Sequence, residues 1–249
     1  MARRLSTRKR PSRETKQIKE RRLIEGGVFD RPTLLSLCRM MSRGIFNSLD
    51  YPIATGKEAN VFRATTKEGY LAVKIYRIET STFKHMGGYI KDDRRFQHIR
   101  GGKKSIVFAW AKKEFKNLTI CEEAGVHAPK PIICERNILV MEFLGEEGLP
   151  YSTMNLVGSE HPKEDLESIL TDIKKLYGAG LVHADISEFN IMAGDVPYLI
   201  DVGQGLLLDH PMAEEFLIRD VRNILNYFKR GYGIEKDEEE VLRWIKGRS

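Results

Sequence analysis

Residues 181–190 read LVHADISEFN, and eleven residues after Asn190 comes Asp201, within the stretch YLIDVGQ at 198–204. The first stretch lies between a helix-like segment and a short apolar run, and Asp201 ends a second apolar strand. Phosphoryl transfer requires a protein to position an acceptor hydroxyl, to hold divalent metal against phosphates and to neutralise charge. An Asp, an Asn and an Asp in this order divide those tasks. Asp185 takes or orients the hydroxyl proton, while the Asn190 amide oxygen and the Asp201 carboxylate supply hard oxygen ligands for magnesium. Asp and Asn are also what ordinary turns contain. The rest of the chain decides between these two readings.

The 249 residues suffice for one large or two small domains with a sizeable core. Apolar residues at 41% and charged residues at 31% describe a soluble globular protein. No apolar run approaches the ~18 to 20 residues of a membrane span, and the N-terminus is too basic and polar for a secretory signal. A cytoplasmic location is expected. Cys38, Cys121 and Cys134 are odd in number and never in a C-x-x-C arrangement, which fits buried, inert thiols in a reducing compartment. Residues 1–22 hold ten Lys or Arg against two Glu, a net +8 in a chain of net +6, so the basic character belongs to the tail. With so few apolar residues that tail has little means of ordering itself. Polyanions such as RNA are its expected partners, a purely solubilising tail being the alternative.

After the tail (1–30), Arg31-Pro32-Thr33 leads into a helical element ending at Gly44. The pattern then turns to short β-type runs, with strands near 45–54, 58–66 and 70–77 joined by tight turns into an antiparallel meander. The first turn, in ATGKEANVF, offers a glycine and backbone N–H groups to phosphates, though it matches neither a G-x-G-x-x-G nor a Walker loop. In the third strand, YLAVKIYRI, Lys74 points opposite to Val73 and Ile75, and burying its ammonium requires anions. Phosphates and a helix carboxylate would meet it; an edge strand facing solvent is the other reading. Residues 79–105 form a long polar loop with six Lys or Arg against two Asp between positions 91 and 104, and with hydroxyls at Ser81, Thr82 and Ser105. A helix over 106–124 follows, in which Glu114 is the evident carboxylate for Lys74. Two strands, PKPIIC and NILVMEF, complete a five-stranded sheet. The linker FLGEEGLP then separates a sheet domain (45–143) from a helical half (144–249). There Glu142 C=O and Leu144 N–H suit an adenine edge, and Met141 either guards the pocket behind the base or packs in the core. Helices are expected over 163–177, from His210 to Lys229, and over 236–247. In the second of these, Asp220 and Arg222 either buttress the 181–190 loop or lie at the surface.

The order of these features is restrictive, and it is the plan of a two-lobed α+β kinase with ATP held between the lobes. TGKEANVF, AVKIYRIE, MEFLGE, LVHADISEFN and IDVGQ together resemble the RIO family of atypical serine/threonine protein kinases, in its first subfamily, over about residues 45–245. The second subfamily usually opens with a winged-helix domain, for which the short basic N-terminus leaves no room. The resemblance implies an N-lobe of five antiparallel strands with one helix and a mainly helical C-lobe. It implies that Lys74 contacts the α and β phosphates and pairs with Glu114, and that Asp185 is the catalytic aspartate. Asn190 and Asp201 are then ligands for magnesium or manganese. Thr55, Gly56, Lys57 and Glu58 form the phosphate-side loop, Val61 is a further nucleotide-binding residue, and Met141, Glu142 and Leu144 lie on the base side.

Departures from ordinary protein kinases are equally legible. His183-Ala184-Asp185 replaces His-Arg-Asp, Asp-Val-Gly replaces Asp-Phe-Gly, and no Ala-Pro-Glu segment follows Asp201. The usual activation loop and peptide platform are therefore absent. Two readings follow: a protein kinase that phosphorylates serine or threonine, its own flexible loop included, or an ATP-driven switch. The switch would dock on a precursor of the small ribosomal subunit, its rRNA and proteins, through the basic tail. In that mode water replaces the hydroxyl, or Asp201 transiently carries phosphate. A small-molecule phosphotransferase shares the Asp and Asn layout, but the IDVGQ and TGKEANVF strings set this chain apart.

Overall fold

The structure, a computed structural model, describes residues 29–78, 93–96 and 102–247, and the chain divides into two compact units at Gly44/Ile45. The basic tail, apart from Phe29 and Asp30, and most of the long loop, Ser81 and Thr82 included, lie outside the described residues. In the first unit helix α1, Arg31–Ser42, starts two residues before Thr33 because Asp30 caps it, its side chain accepting the Thr33 N–H at 3.0 Å. Gly44, at φ +77°, ends the turn that follows.

The second unit opens with strands β1 (Ser48–Thr55), β2 (Ala59–Thr65) and β3 (Tyr70–Tyr76). With β4 (Pro131–Glu135) and β5 (Ile138–Glu142) they form one antiparallel sheet in the order β1-β2-β3-β5-β4. Strand β1 carries Pro52 and two register shifts, which an edge strand tolerates because no ladder on its outer side depends on those N–H groups among the described residues. It begins three residues later than its apolar pattern suggests. Strand β3 is central, so Lys74 does not lie on an edge, and that alternative is removed.

Helix α2, Lys103–Glu123, connects β3 to β4 and packs on the sheet. It begins at Lys103, so residues 103–105, Ser105 included, belong to the helix rather than to the loop. A hairpin of β6 (Gly145–Glu146) and β7 (Leu149–Pro150) occupies the linker. Beyond it come α3 (Met154–Val157), α4 (Pro162–Gly178) and β8 (Leu181–Val182). Strands β9 (Ile191–Ala193) and β10 (Pro197–Leu199) pair antiparallel, and β11 (Leu206–Leu207) pairs with β8. The chain closes with α5 (Ala213–Tyr232) and α6 (Glu238–Ile245). Helix α5 starts at Ala213 rather than His210, because the His210 ring nitrogen and carbonyl cap the N–H groups of Met212 and Ala213.

Helix α4 buries Leu166, Ile169, Leu170, Ile173 and Leu176, and α5 buries Leu217, Val221, Ile224 and Phe228. These stripes meet around β8 and bring the 181–190 segment to the top of an apolar base. Of the three thiols only Cys121 is fully buried, and Cys38 and Cys134 are partly so. Burial pushes Cys121 and Cys134 up to about 12, which leaves both as inert thiols.

Candidate active site

Between the sheet and the segments after β7 lies a cleft of about 700 Å³, a size typical of small-ligand sites. Thr55, Gly56, Lys57, Glu58 and Val61 line it from β1, β2 and their turn, and Lys74 and Glu114 line its inner wall. Met141, Glu142 and Leu144 come from β5 and its continuation, while Asn190 and Asp201 close the opposite side. Met141 lines the cleft and also packs against the core. The Glu142 N–H is taken by Lys130 C=O and the Leu144 C=O by Tyr151 N–H. Neither bond competes with the pair assigned to a base edge.

The Lys74 ammonium sits at the centre, donating to both Glu114 oxygens at 2.7 and 2.8 Å and to Asp201 Oδ1 at 2.9 Å. Burial disfavours the ammonium, but Asp201 and Glu114 outweigh it and hold its pKa above the ordinary lysine value. Two carboxylates share this one cation, so the group carries an excess negative charge. The excess falls on the deeper acid: burial, with Asp201 adding repulsion, pushes Glu114 up to about 7 against the pull of Lys74. Asp201, its side chain half-exposed, is held low chiefly by the Lys74 charge.

Asp185 lies one hydrogen bond behind the cleft wall. Its Oδ2 accepts from Asn190 Nδ2 at 3.0 Å and from Gln204 Nε2 at 3.1 Å, and Asn190 Nδ2 also donates to Asp185 C=O at 2.8 Å. Because both partners of the Asn190 amine accept only, the amide orientation is fixed and Oδ1 is presented away from Asp185. With the Asp201 carboxylate it makes a donor set of hard oxygens suited to magnesium. Among the described residues no three His, Cys, Asp or Glu side chains cluster as a metal cage. A magnesium site that uses one carboxylate, one amide and substrate phosphates has no need of such a cage.

The loop is held in an unusual backbone shape. Ala184 has φ +64° and Asp201 φ +61°, the left-handed region that costs a non-glycine residue of order 1 kcal/mol or more. Asp220 of α5 supports the first of these, its carboxylate accepting the N–H groups of Ala184 at 2.7 Å and Ile186 at 3.0 Å. Arg219 donates to Ala184 C=O and Asn223 to Ile186 C=O. Arg222 does not join them. It pairs with Glu238 at the surface, because two residues along a helix turn a side chain by about 200° from Asp220. Burial pushes Asp220 up to about 7, against two N–H bonds and Arg219. His183 is buried with Nε2 3.1 Å from Ile200 C=O, and desolvation lowers it to about 4, so the ring is neutral.

Sequence reasoning missed Gln204 as the second support of Asp185, and Arg219 and Asn223 as loop supports. It also passed over Lys113 and Asn117, polar residues buried on α2 beside Glu114. Their signal was a helix whose apolar stripe is interrupted by polar residues at 113, 114 and 117.

A family model described as the RIO domain matches residues 60–241. The RIO-type serine/threonine-protein kinase Rio1 of Haloferax volcanii is 41% identical over 226 residues, covering 90% of this chain and 78% of the relative. The protein of the same description in Methanocaldococcus jannaschii is 36% identical and covers 92% and 81%. Among solved structures, the Rio2 kinase from Chaetomium thermophilum superposes with a TM-score of 0.66 at 22% identity, over 91% of this chain and 76% of that one. Its ADP/Mg2+-phosphoaspartate complex gives 0.65 at 24% identity, over 87% and 66%. The shared architecture is the two-lobed kinase-like fold. With the family model spanning more than half of the chain, and these relatives over a third identical along nine-tenths of it, the chain belongs to the RIO family, in its Rio1 branch.

Proposed function

We propose that this chain is an ATP-dependent serine/threonine protein kinase of the atypical RIO type, acting in maturation of the small ribosomal subunit. The observation that carries this reading is the convergence of Lys74, Glu114, Asn190 and Asp201 on one cleft, with Asp185 held behind it by two side-chain amides. The relatives' description as serine/threonine-protein kinases supports it. So does the crystallisation of the Chaetomium Rio2 kinase with ADP, Mg2+ and phosphoaspartate.

Bound magnesium or manganese supplies charge neutralisation across the phosphates, with Asn190 and Asp201 as its protein ligands. Lys74 meets the α and β phosphate oxygens, and Glu114 keeps the ammonium aimed at them. The turn carrying Thr55, Gly56, Lys57 and Glu58 covers the phosphates, and Val61 lines the nucleotide cleft beside it. Glu142 C=O and Leu144 N–H take the adenine edge against Met141. Asp185 orients the acceptor hydroxyl and receives its proton as the oxygen attacks the γ-phosphorus and the bond to the β-phosphate oxygen breaks.

A second reading, hydrolysis as the physiological output, is favoured by one feature. Only residues 202–212 separate Asp201 from α5, and β11 and its pairing with β8 take up part of them, so the chain has no room here for a peptide platform. Water then takes the place of the hydroxyl, or Asp201 carries phosphate. The +8 tail is the feature that suits a ribosomal precursor in the cytoplasm.

The deciding experiment follows γ-labelled ATP with immature small subunits, counting free phosphate against label on protein, with Asp185→Ala beside it. Label accumulating on a protein favours the kinase, and particle-stimulated free phosphate favours the switch. Undiminished turnover by Asp185→Ala removes Asp185 from the mechanism.

A further inference from the structure

Two supports of the reaction proposed above sit on one short turn. Residues 202–204 form a single 3-10 turn that starts from Asp201 in its left-handed conformation and ends on Gln204, the donor to Asp185. The turn points buried carbonyls at α2, and a buried carbonyl without a partner is costly. Helix α2 answers with two side chains. Lys113 Nζ donates to Gly203 C=O at 2.7 Å and to Gly205 C=O at 2.5 Å, and Asn117 Nδ2 donates to Val202 C=O at 2.7 Å.

Lys113 is fully buried, an unusual state for a lysine. Among the described residues Asp93 supplies a nearby negative charge, Arg95 opposes it, and the Trp110 ring lies 5.4 Å from the ammonium. The fit is close on the other side as well. A side chain at Gly203 would meet Trp110 Nε1 at 3.2 Å, and one at Gly205 would meet Asn117 Nδ2 at 2.9 Å. Immediately next to Lys113 in the helix, Glu114 holds Lys74 and through it Asp201.

We infer that Lys113 is a positioning residue for phosphoryl transfer: it fastens α2 to the turn that carries Asp201 and Gln204, so the metal ligand and the support of Asp185 are set as one unit. The inference rests on the proposed kinase reading. It assigns to a lysine inside the protein the task of fixing this turn, which is followed by only a short stretch of chain before α5.

The turn carries its own reporter. Trp110 packs against Gly203, and the only other tryptophan, Trp244, lies exposed on α6. In a Trp244→Phe background of the full chain, Mg2+ is titrated in the presence of ADP while Trp110 fluorescence is read, and ATP turnover is measured separately. Lys113→Met is expected to raise the Mg2+ midpoint at least fivefold and to lower kcat at least tenfold, with the ATP KM at saturating Mg2+ within twofold. Gly205→Ala, which pushes the turn away from α2 without altering Lys113, is expected to shift both in the same direction. It decides the matter if Lys113→Met does not fold. A folded Lys113→Met with an unchanged Mg2+ midpoint, or a loss seen only in the ATP KM, overturns the inference. So does a Gly205→Ala protein that behaves as the parent. A parent protein that responds to Mg2+ and ADP but turns over no ATP defeats the kinase reading instead, and the fluorescence arm still tests the role of Lys113.

Discussion

Replacing Lys74 with Met removes the cation from between Glu114 and Asp201. Asp201 is half-exposed and is solvated by water, but Glu114 is 1% exposed and has no such outlet. Its pKa, raised from an ordinary 4.5 to about 7 even beside Lys74, rises further without it. A carboxyl raised in the folded state contributes stability that is complete below pH 4.5 and is lost as pH climbs through about 7 and above. At ~1.36 kcal/mol for each tenfold change, the span from 4.5 to 7 corresponds to a loss of about 3 kcal/mol at pH 8. That figure is a floor for the variant, and it agrees with the ~3–5 kcal/mol found when a buried ion pair loses one partner. Gln at position 114 has the shape of the protonated acid and no charge. Lys74→Met/Glu114→Gln should therefore be more stable than Lys74→Met alone by about 3 kcal/mol at pH 8, the gap closing to below about 1 kcal/mol at pH 5. Urea unfolding followed by circular dichroism at the two pH values measures it. Equal stability of single and double variants at pH 8, or a gap that ignores pH, would refute the reasoning.

Asp220→Ala leaves the Ala184 and Ile186 N–H groups buried without their acceptor and should cost about 3 kcal/mol in urea melts, with turnover falling alongside. Arg222→Ala, which loses only a surface pair, should cost less than about 1 kcal/mol. At Ala184, glycine should be neutral or slightly stabilising and keep turnover. Valine, β-branched at φ +64° in a site with no exposure, should lose about 2 kcal/mol or more. Binding to immature small subunits should weaken steeply with salt, and deleting residues 1–22 should flatten that dependence; an unchanged slope in a filter-binding titration counts against the tail.

Much of this protein is local information, and the sequence holds it. Alternation marks β2, a short apolar run around Lys74 marks β3, the stripe at 166, 169, 170, 173 and 176 marks α4, and the LVHADISEFN and IDVGQ strings mark the candidate site, because each signal needs only neighbours in the chain. Element ends were less legible. The Asp30 cap, the His210 turn and the start of α2 at Lys103 depend on side chains that compete for the first free N–H groups. Whether Lys74 was solvated or buried depended on sheet order, which alternation cannot encode: a central strand and an edge strand can share one pattern. The supports of the site were illegible for a related reason. Gln204, Lys113, Asn117, Asp220 and Arg219 act on residues between 19 and 92 positions away, and nothing in their own neighbourhoods records the partner. They sit where they do because buried carbonyls, N–H groups and charges must each find a partner once the chain is packed. Sequence alone determined the family and which polar residues are candidates for its cleft; the requirement to satisfy every buried polar group, met only in three dimensions, decided which side chains support them.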